Sequence, residues 1–524
     1  MKKIIFIALL ALASAFFYYY QHSASQAESR AMAQSYCSGC HLFPEPNILP
    51  RASWEATLGY MGYYLGVTDI SYLEDTPEFV YENVESKLQY IQRENVFPLV
   101  PLINEQDWEE VRNYYLTSAP EVAEPQRNKE LPQTLDQFRS LRTSYRFSPP
   151  MITTAVGIDE GNSIIHLADS YHESITTLGA NGRVISGPRN FLPAVTPVKF
   201  DIDDNRIFVG SIGDLFGSST ASDLPGHIGI LTDLENGIDN ASYDSLISQL
   251  PRIADFLRVD LDSDGIDDFI TSGFGLASGL LSVYWGDSDG SFEQNDLVAR
   301  AGAVKAQAAD FNLDGIMDFA VLFGDAREGL FIYQGLGNHE FERHSIFETH
   351  SAYGHTYFEV QDFNNDGLMD FLVVNGDNVD SDPYNTLKNY HGIRIFLNEG
   401  DYRFVESYFY PMYGAYRAQA ADFDQDGDLD IAAIAFFPDF SLDESESFVY
   451  LESADGGYTP FFDSLANSGR WMTMDVGDIN GDGFDDIVLG ASYILLGMAN
   501  FMDRFIDFSA NGPGAVILTN LANE

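Results

Sequence analysis

The sequence has few cations and almost no cysteine. Its 524 residues include 28 Lys and Arg against 79 Asp and Glu, which gives a formal net charge of −51 at pH 7. Because nucleic-acid binding depends on cations that contact phosphates, this imbalance argues against a nucleic-acid partner. It favours hard cations or a basic protein partner, although solubility alone would also account for it. The 2 cysteines exclude a scaffold held together by disulfides.

Long apolar runs are missing except at the N-terminus. Two lysines precede an apolar run from Ile4 to Ala15, and Ala13-Ser14-Ala15 has the pattern of a signal cleavage site. The apolar stretch continues to Tyr20, close to the shortest length that spans a bilayer. Residues 1–27 are therefore predicted to be either a cleaved signal peptide or an N-terminal membrane anchor. The protein is expected to be exported, to the periplasm or the cell surface.

Both cysteines lie in one motif, Cys37-Ser38-Gly39-Cys40-His41. The spacing C-x-x-C-H predicts covalent attachment of one haem c, with both thiols bound to the haem and His41 as the proximal iron ligand. A redox dithiol and half of a zinc site are the competing interpretations. The zinc site would need two further ligands and no other cysteine exists, whereas a redox dithiol does not require the histidine.

Met61 is the candidate for the sixth ligand of the iron. Trp54, Leu58 and Met61 recur at helical spacing, so Met61 is expected either in a helical core or against the haem. Met32 lies too close to Cys37 in sequence to reach the opposite haem face. A His/Met pair would suit electron transfer, and a five-coordinate iron would suit small-molecule chemistry.

A further helix is predicted from Asn104 to Leu116, with Trp108, Val111 and Tyr115 as its apolar stripe. Together with C-x-x-C-H, this helix resembles the closing helix of class I c-type cytochromes, over residues 31 to 120. The resemblance implies a small all-α haem domain, which we place at residues 28–120. Residues 121–146, with two prolines and many charges, are predicted to be a linker.

A nine-residue pattern, D-x-[DN]-x-D-G-x-x-D, occurs five times, beginning at Asp260, Asp310, Asp362, Asp422 and Asp478. Oxygens at positions 1, 3, 5 and 9 can surround a hard cation, calcium rather than magnesium, and Gly at position 6 permits a sharp turn. About five Ca²⁺ ions are expected. The candidate ligands are Asp260, Asp262, Asp264, Asp268, Asp310, Asn312, Asp314, Asp318, Asp362, Asn364, Asp366, Asp370, Asp422, Asp424, Asp426, Asp430, Asp478, Asn480, Asp482 and Asp486.

The surroundings of the pattern predict strands rather than the helices of an EF-hand. No loop has Glu at position 12, and each is followed by a β-like run such as DFLVVNG after Asp366-Gly-Leu-Met. The repeats are separated by 50, 52, 60 and 56 residues, the spacing of β-propeller blades. Residues 147–524 would hold seven blades, with six or eight as alternatives. A degenerate loop is expected at 201–205.

This half of the chain resembles the FG-GAP/VCBS repeat family, the calcium-loop propellers also found in integrin α-chains. The resemblance implies that the loops bind calcium to hold each blade, and it fixes no function. The predicted fold is therefore multidomain, with a small all-α cytochrome c domain followed by an all-β propeller of seven blades.

Three functions follow from these parts. The main hypothesis is an exported mono-haem cytochrome that transfers electrons to a redox partner while the propeller docks a protein or a surface. The second is a haem-coupled oxidoreductase with a substrate site in the propeller mouth, built from Lys305, His355, Arg417 and Arg470. Local pairing of these cations with carboxylates is the competing interpretation. The third is an adhesin or a module that binds glycans or other polysaccharides.

Overall fold

The computed structural model describes most of the chain: residues 26–39, 41–93, 96–127, 129–148, 151–191, 196–203, 205–213, 225–234, 237–275, 279–325, 327–378, 382–454 and 456–522. Of the predicted signal or anchor at 1–27, only residues 26 and 27 belong to this part, and Cys40 lies outside it. The chain divides into two compact units. One comprises residues 1–123 with 381–383, and the other residues 124–380 with 384–524.

The described part of the first unit is helical. Its helices are α1 (residues 26–37), α2 (Arg51–Tyr64), α3 (Glu78–Arg93) and α4 (Glu105–Ser118). Helix α4 begins where the sequence predicts, because the Asn104 side chain accepts a hydrogen bond from the Asp107 N–H at 2.9 Å. No helix in the described ranges has the length and apolarity needed to cross a membrane.

Helix α2 forms the centre of this unit. Trp54 and Leu58 of α2 are buried with Trp108 and Tyr115 of α4 in one apolar cluster. A Cβ atom at Gly62 would lie 2.9 Å from the Trp108 ring, and one at Gly59 would lie 2.9 Å from Val84 of α3. The two glycines therefore let α2 approach both neighbouring helices closely, and a larger residue at Gly62 would separate α2 from α4.

The second unit consists of seven four-stranded sheets, numbered here as blades 1 to 7 in chain order. The first strands of the blades are β3 (Met151–Asp159), β7 (Pro197–Asp203), β11 (Ile253–Val259), β15 (Ala303–Ala309), β19 (His355–Gln361), β23 (Ala415–Ala421) and β27 (Trp471–Gly477). The second strands are β4 (Ile164–Asp169), β8 (Arg206–Ser211), β12 (Asp268–Gly273), β16 (Asp318–Phe323), β20 (Asp370–Asn375), β24 (Asp430–Ala435) and β28 (Asp486–Tyr493).

The outer strands complete each blade. The third strands are β5 (Ser174–Gly179), β9 (Gly226–Thr232), β13 (Leu280–Gly286), β17 (Glu328–Gly335), β21 (Gly392–Asn398), β25 (Phe448–Ala454) and β29 (Ala515–Asn520). The fourth strands are β6 (Val184–Asn190), β10 (Ser242–Leu250), β14 (Phe292–Val298), β18 (Phe341–Thr349), β22 (Phe404–Pro411), β26 (Gly457–Phe462) and, in blade 7, β2 (Phe138–Arg142). Strand β1 (Gln133–Thr134) pairs in parallel with β26.

The seven first strands contact one another in cyclic order, and β27 of blade 7 returns to β3 of blade 1. This arrangement is a closed β-propeller, and the number of sheets equals the predicted number of blades. The second strands are buried along their length, and apolar side chains of neighbouring blades pack face to face.

The linker predicted at 121–146 needs correction, because part of it belongs to the propeller. Strand β2 pairs antiparallel with β29, from Phe138 opposite Asn520 to Arg142 opposite Val516. A segment before the first blade therefore supplies the fourth strand of the last blade and closes the ring.

Candidate metal sites

Each of the five predicted loops joins the first strand of a blade to the second. In blade 3, Val259 and Asp268 are cross-strand partners, so the nine-residue pattern forms the turn of a hairpin. The loop contains two left-handed residues, Ser263 at position 4 with φ 63° and Gly265 at position 6 with φ 87°. The other four loops repeat this pair at positions 4 and 6. No atom lies within 4 Å of a Cβ built at Gly265, so glycine is required here by its backbone conformation.

The loop backbone holds the carboxylates in place. In all five loops the N–H of the glycine donates to Oδ2 of the first Asp at 2.8–3.1 Å. The N–H of position 7 donates to Oδ1 of the Asp at position 5, at 2.8–3.0 Å. The carboxylates at positions 1 and 5 are therefore fixed by local bonds, which preorganises the loop for a cation.

In two loops the acidic side chains lie close enough together that they could hold one ion. Ligand oxygens of Asp260, Asp262 and Asp268 lie within 4.8 Å of one another, as do those of Asp422, Asp424 and Asp426. In the second loop Oδ1 of Asp422 is buried without a hydrogen-bond partner among the described residues. Oxygen-only donors around a flexible turn suit calcium, and a cation would satisfy this orphaned atom.

The aspartate at position 9 has a second task that the sequence pattern does not reveal. It is the first residue of the second strand and is at most 2 % exposed in every loop. Its Oδ1 accepts a backbone N–H from the end of the third strand at 2.7–2.9 Å in all five blades. In blade 5, Oδ2 of Asp370 also accepts the Phe363 N–H of the loop at 2.9 Å.

Burial of these carboxyl groups raises the pKa of Asp370, Asp430 and Asp486 to about 6. The nearby loop carboxylates raise it further, and a bound cation would oppose both effects. The position-9 aspartate therefore joins the loop, the second strand and the third strand through hydrogen bonds. This role is separate from any contribution to cation binding.

Side chains from the next blade reach two of the loops. Nε2 of His339 lies 3.0 Å from Oδ2 of Asp262, and the His339 ring stacks on Trp285 at 3.8 Å. Tyr402 of blade 5 contacts the loop of blade 4 in the same way. Its hydroxyl accepts a hydrogen bond from Asn312 Nδ2 at 2.8 Å. A weak signal exists in the sequence, because both residues lie two positions after a glycine, in GNHEF and GDYRF.

The degenerate loop expected at 201–205 is not a metal loop. Strand β7 ends at Asp203 and β8 begins at Arg206, which leaves too short a turn for the nine-residue pattern. The guanidinium of Arg258, from the next blade, lies 3.0 Å from Asp201 and 2.9 Å from Asp267. An arginine cation joins the two blades here, whereas the hairpins between the first and second strands of blades 3 to 7 contain the nine-residue loop.

Of the four cations predicted to form a substrate site in the propeller mouth, the structure brings Lys305 and Arg417 together over the ring of Tyr357. Lys305 Nζ lies 3.7 Å from the centroid of the Tyr357 ring. The guanidinium carbon of Arg417 lies 4.7 Å from the same centroid. Arg417 also donates to Thr473 Oγ1 at 2.9 Å and to the Met474 carbonyl at 2.8 Å. Burial lowers the pKa of Lys305.

The other two predicted cations, His355 and Arg470, also have bonding partners. His355 Nδ1 lies 2.8 Å from the Glu328 carboxylate, and both side chains are buried. Arg470 is fully buried and donates to the carbonyls of Phe436 at 2.9 Å and Ile494 at 2.6 Å. Burial lowers the pKa of Arg470 to about 9. Pairing with a carboxylate, the competing interpretation, therefore describes His355, whereas Arg417 and Arg470 are bonded to backbone carbonyls and a hydroxyl.

The first strands carry a belt of polar side chains that joins neighbouring blades around the axis. A carboxylate or amide oxygen on one first strand accepts a backbone N–H of the next first strand. The pairs are Asp255 with Ala306 at 3.3 Å, Gln307 with Val360 at 3.0 Å, Glu359 with Ala420 at 2.9 Å and Asp475 with Ile158 at 2.9 Å. The axial polar groups thus hold the ring together.

In the first unit, the structure places the described part of the C-x-x-C-H segment beside the aromatic cluster of α2 and α4. Cys37 is the last residue of α1 and packs against that cluster. The half-buried His41 donates from Nδ1 to the Leu42 carbonyl at 2.8 Å. Because a carbonyl can only accept, Nδ1 carries the proton and Nε2 keeps its lone pair, and burial lowers the pKa of His41. A neutral imidazole with a free Nε2 fits an iron ligand.

Met61 lies on α2 as predicted and is half-buried. Within the described residues it does not pack against the cluster that includes Cys37, Trp54 and Leu58, whereas Met32 does. Its role as sixth ligand stays a prediction.

Residues 260–321 and 310–373 match the family model of the FG-GAP-like repeat, and residues 471–493 match that of the FG-GAP repeat. No curated protein has a sequence that matches this chain. Among solved structures, the N-terminal domain of Nup159 aligns with 12% identity over 76% of this chain and 99% of that chain, with a TM-score of 0.40. The chain therefore contains FG-GAP repeats, and they lie in the second unit.

Proposed function

Because the propeller carries FG-GAP repeats, we propose that this protein is a binding protein whose calcium-stabilised propeller holds a partner or a surface outside the cytoplasm. One observation supports binding over catalysis. Three of the four cations that would line a substrate site in the mouth are bonded to neighbouring groups, as Arg470 is to the carbonyls of Phe436 and Ile494. What the propeller offers is its outer surface.

The binding function is tested by presenting calcium-loaded protein, and the same protein in EGTA, to immobilised polysaccharides and to basic and acidic proteins. We expect binding that depends on calcium and is not followed by any chemical change of the bound molecule. Reduction of the protein by a sugar or an alcohol, without a redox protein, would instead establish the oxidoreductase hypothesis. Cell fractionation tests the proposed export directed by residues 1–27.

A second candidate function concerns the first unit. We propose that Cys37, Cys40 and His41 hold one haem c there, with Met61 as the candidate sixth ligand. The observation that favours it is the hydrogen bond from His41 Nδ1 to the Leu42 carbonyl, which leaves Nε2 free. Bound haem c would supply one-electron transfer, and the propeller would then dock the redox partner.

Haem attachment is tested by producing the protein in a host with a c-type maturation system and separating it under denaturing conditions. We expect haem absorbance to stay with the wild-type chain and to be lost from Cys37→Ser. Met61→Ala should keep covalent haem and change its spin state if Met61 is the sixth ligand. Wild-type protein without covalent haem would refute the attachment, and an unchanged spectrum in Met61→Ala would refute the ligand.

A further inference from the structure

Two long insertions stand on adjacent blades of the propeller, on the face opposite the calcium loops. Residues 436–447 join the second and third strands of blade 6, and residues 494–514 do so in blade 7. The calcium loops enter the second strands at their first residue, and the insertions leave these strands at the other end. The second insertion contains helix α5 (Met502–Asn511).

The two insertions form one rigid element. The ring of Phe440, from blade 6, packs against Phe501 at 5.6 Å and Phe508 at 6.4 Å, measured between ring centroids. Arg504 of α5 donates to the Asp443 carbonyl at 2.8 Å and also to the Leu442 carbonyl. These contacts tie α5 to the insertion of the neighbouring blade.

The C-terminal end of α5 is held by the segment that precedes the first blade. Arg142 donates to the Gly512 carbonyl at 2.9 Å, and Arg146 donates to the Ser509 carbonyl at 3.1 Å. Cations at these carbonyls also favour the negative end of the helix dipole. Helix α5 is therefore fixed at both ends, and its outer face is presented in one orientation.

That outer face is apolar. Met502 and Ile506 lie one helical turn apart and are 45% and 59% exposed. Three exposed leucines stand on the same two insertions. They are Leu442 at 52%, Leu495 at 47% and Leu496 at 43%. We call these five residues the docking face. Single exposed aliphatic residues are common, but five on two insertions joined side by side indicate an interaction surface.

Acidic residues surround the docking face. Asp443 and Glu444 follow Leu442, and Asp503 and Asp507 stand beside Met502 and Ile506 on α5, all four of them exposed. The nearest cation, Arg504, is already bonded to backbone carbonyls. A partner therefore has to bring an apolar centre flanked by positive charge.

The charge also argues against two other occupants. A second copy of a chain with a net charge of −51 would place like charges around the contact. An anionic lipid surface would be repelled by the same carboxylates. We propose that the docking face binds a basic amphipathic segment of a partner protein, with apolar side chains at its centre and Lys or Arg around them. This inference rests on the proposed binding function and adds the site and the partner chemistry.

The probe is a synthetic amphipathic helical peptide with leucines on one face and lysines beside them, labelled for fluorescence anisotropy and titrated with the calcium-loaded full chain. We expect saturable binding that weakens as salt is raised. Met502→Ser together with Ile506→Ser should weaken binding about tenfold or more. Asp443→Asn with Glu444→Gln should reduce the salt dependence.

Matched controls come from exposed aliphatic residues elsewhere on the propeller. Ile185→Ser on β6 and Val405→Ser on β22, which are 56% and 42% exposed, should leave peptide affinity unchanged. The docking-face variants should unfold at the same temperature as the wild type, because Met502 and Ile506 face solvent.

Three results would overturn the inference. The first is equal affinity in the docking-face and control variants, and the second is equal binding of a peptide with glutamates in place of the lysines. The third is a concentration-dependent dimer that the docking-face variants abolish, which would make a second copy the occupant. None of these three results would refute the binding function itself. That function is tested by the experiment with immobilised polysaccharides and with basic and acidic proteins, and absence of any calcium-dependent binding in that experiment would refute it.

Discussion

At the scale of single residues, the position-9 aspartate and the other acidic or amide residues of the loop differ in the hydrogen bonds that they make. Asp370 is buried and joins the loop to β20 and β21 through the N–H groups of Phe363 and Asn398. Asn364, at position 3 of the same loop, is exposed and accepts a hydrogen bond only within the loop, from the Asp366 N–H. Their substitution should therefore have different consequences.

We expect Asp370→Ala to lower the free energy of unfolding by about 2–4 kcal/mol with calcium and also in EGTA, because the buried N–H of Asn398 and the partly buried N–H of Phe363 lose their acceptor. Asn364→Ala should weaken calcium binding by blade 5 and change stability in EGTA by less than about 1 kcal/mol. Urea unfolding with and without calcium measures both effects. A loss of stability in Asp370→Ala that is confined to the calcium-loaded protein would show that this carboxylate acts only through the metal.

Burial of one histidine is expected to lower the stability of the protein in acid. His166 on β4 is fully buried, its Nδ1 lies 3.1 Å from Thr177 Oγ1, and burial lowers its pKa from 6.5 to about 4. The unfolded chain therefore binds a proton between these two values that the folded chain does not bind. Stability should fall by about 2 kcal/mol from this group between pH 7 and pH 5.

The measurement is urea unfolding at pH 7 and pH 5, in excess calcium, for the wild type and His166→Leu. Every other residue is the same in the two proteins, so the difference between their losses of stability isolates His166. Equal loss of stability in both proteins would show that His166 is protonated in the folded state.

At the scale of elements, β2 decides whether the ring closes. Phe138 of β2 is buried, and its ring meets Phe423 at 5.6 Å and Tyr450 at 5.3 Å between centroids. Phe138→Ala should lower the free energy of unfolding by about 3–5 kcal/mol. Leu141→Ala, on the same strand but 38% exposed, should cost less than about 1 kcal/mol. Comparable losses in the two variants would mean that β2 contributes only its backbone bonds.

Arg470 contacts both insertions, so its substitution tests whether these contacts hold the insertions in place. Its guanidinium lies 3.7 Å from the Phe436 ring and holds carbonyls of both insertions. Arg470→Met should keep the volume and lose these bonds, so hydrogen exchange should become faster in residues 436–447 and 494–498. Exchange at the calcium loops on the opposite face serves as the control and should not change. Faster exchange throughout the propeller would show that Arg470 stabilises the blades and not the insertions.

How much the sequence predicts depends on how local each feature is. The five loops, the strands that flank them and helix α4 follow from spacing within a few residues. Strand β2 escapes prediction because only Phe138 of its five residues is buried, so it lacks an apolar pattern. Its partner β29 lies far away in the chain.

The candidate sites also differ in whether their residues are close together in the chain. Loop ligands such as Asp260 and Asp262 are brought together as the spacing predicts, because all of them lie on one turn. The role of Arg470 depends on two insertions from different blades, and that of His339 on a turn of the neighbouring blade. Contacts between distant segments of this kind carry no sequence period, so the sequence does not reveal that Arg470 binds carbonyls of the insertions while Lys305 and Arg417 share the ring of Tyr357.

At the scale of the whole molecule, three features hold the blades of the propeller: the loops proposed to bind calcium at one face, the axial belt of hydrogen bonds, and β2. The most direct test is a calcium titration of the chelated full chain, followed by thermal unfolding in calcium and in EGTA. We expect close to five bound ions per chain, one for each loop, and a markedly higher unfolding temperature in calcium. Absence of calcium binding, with the same unfolding temperature in EGTA, would contradict the account.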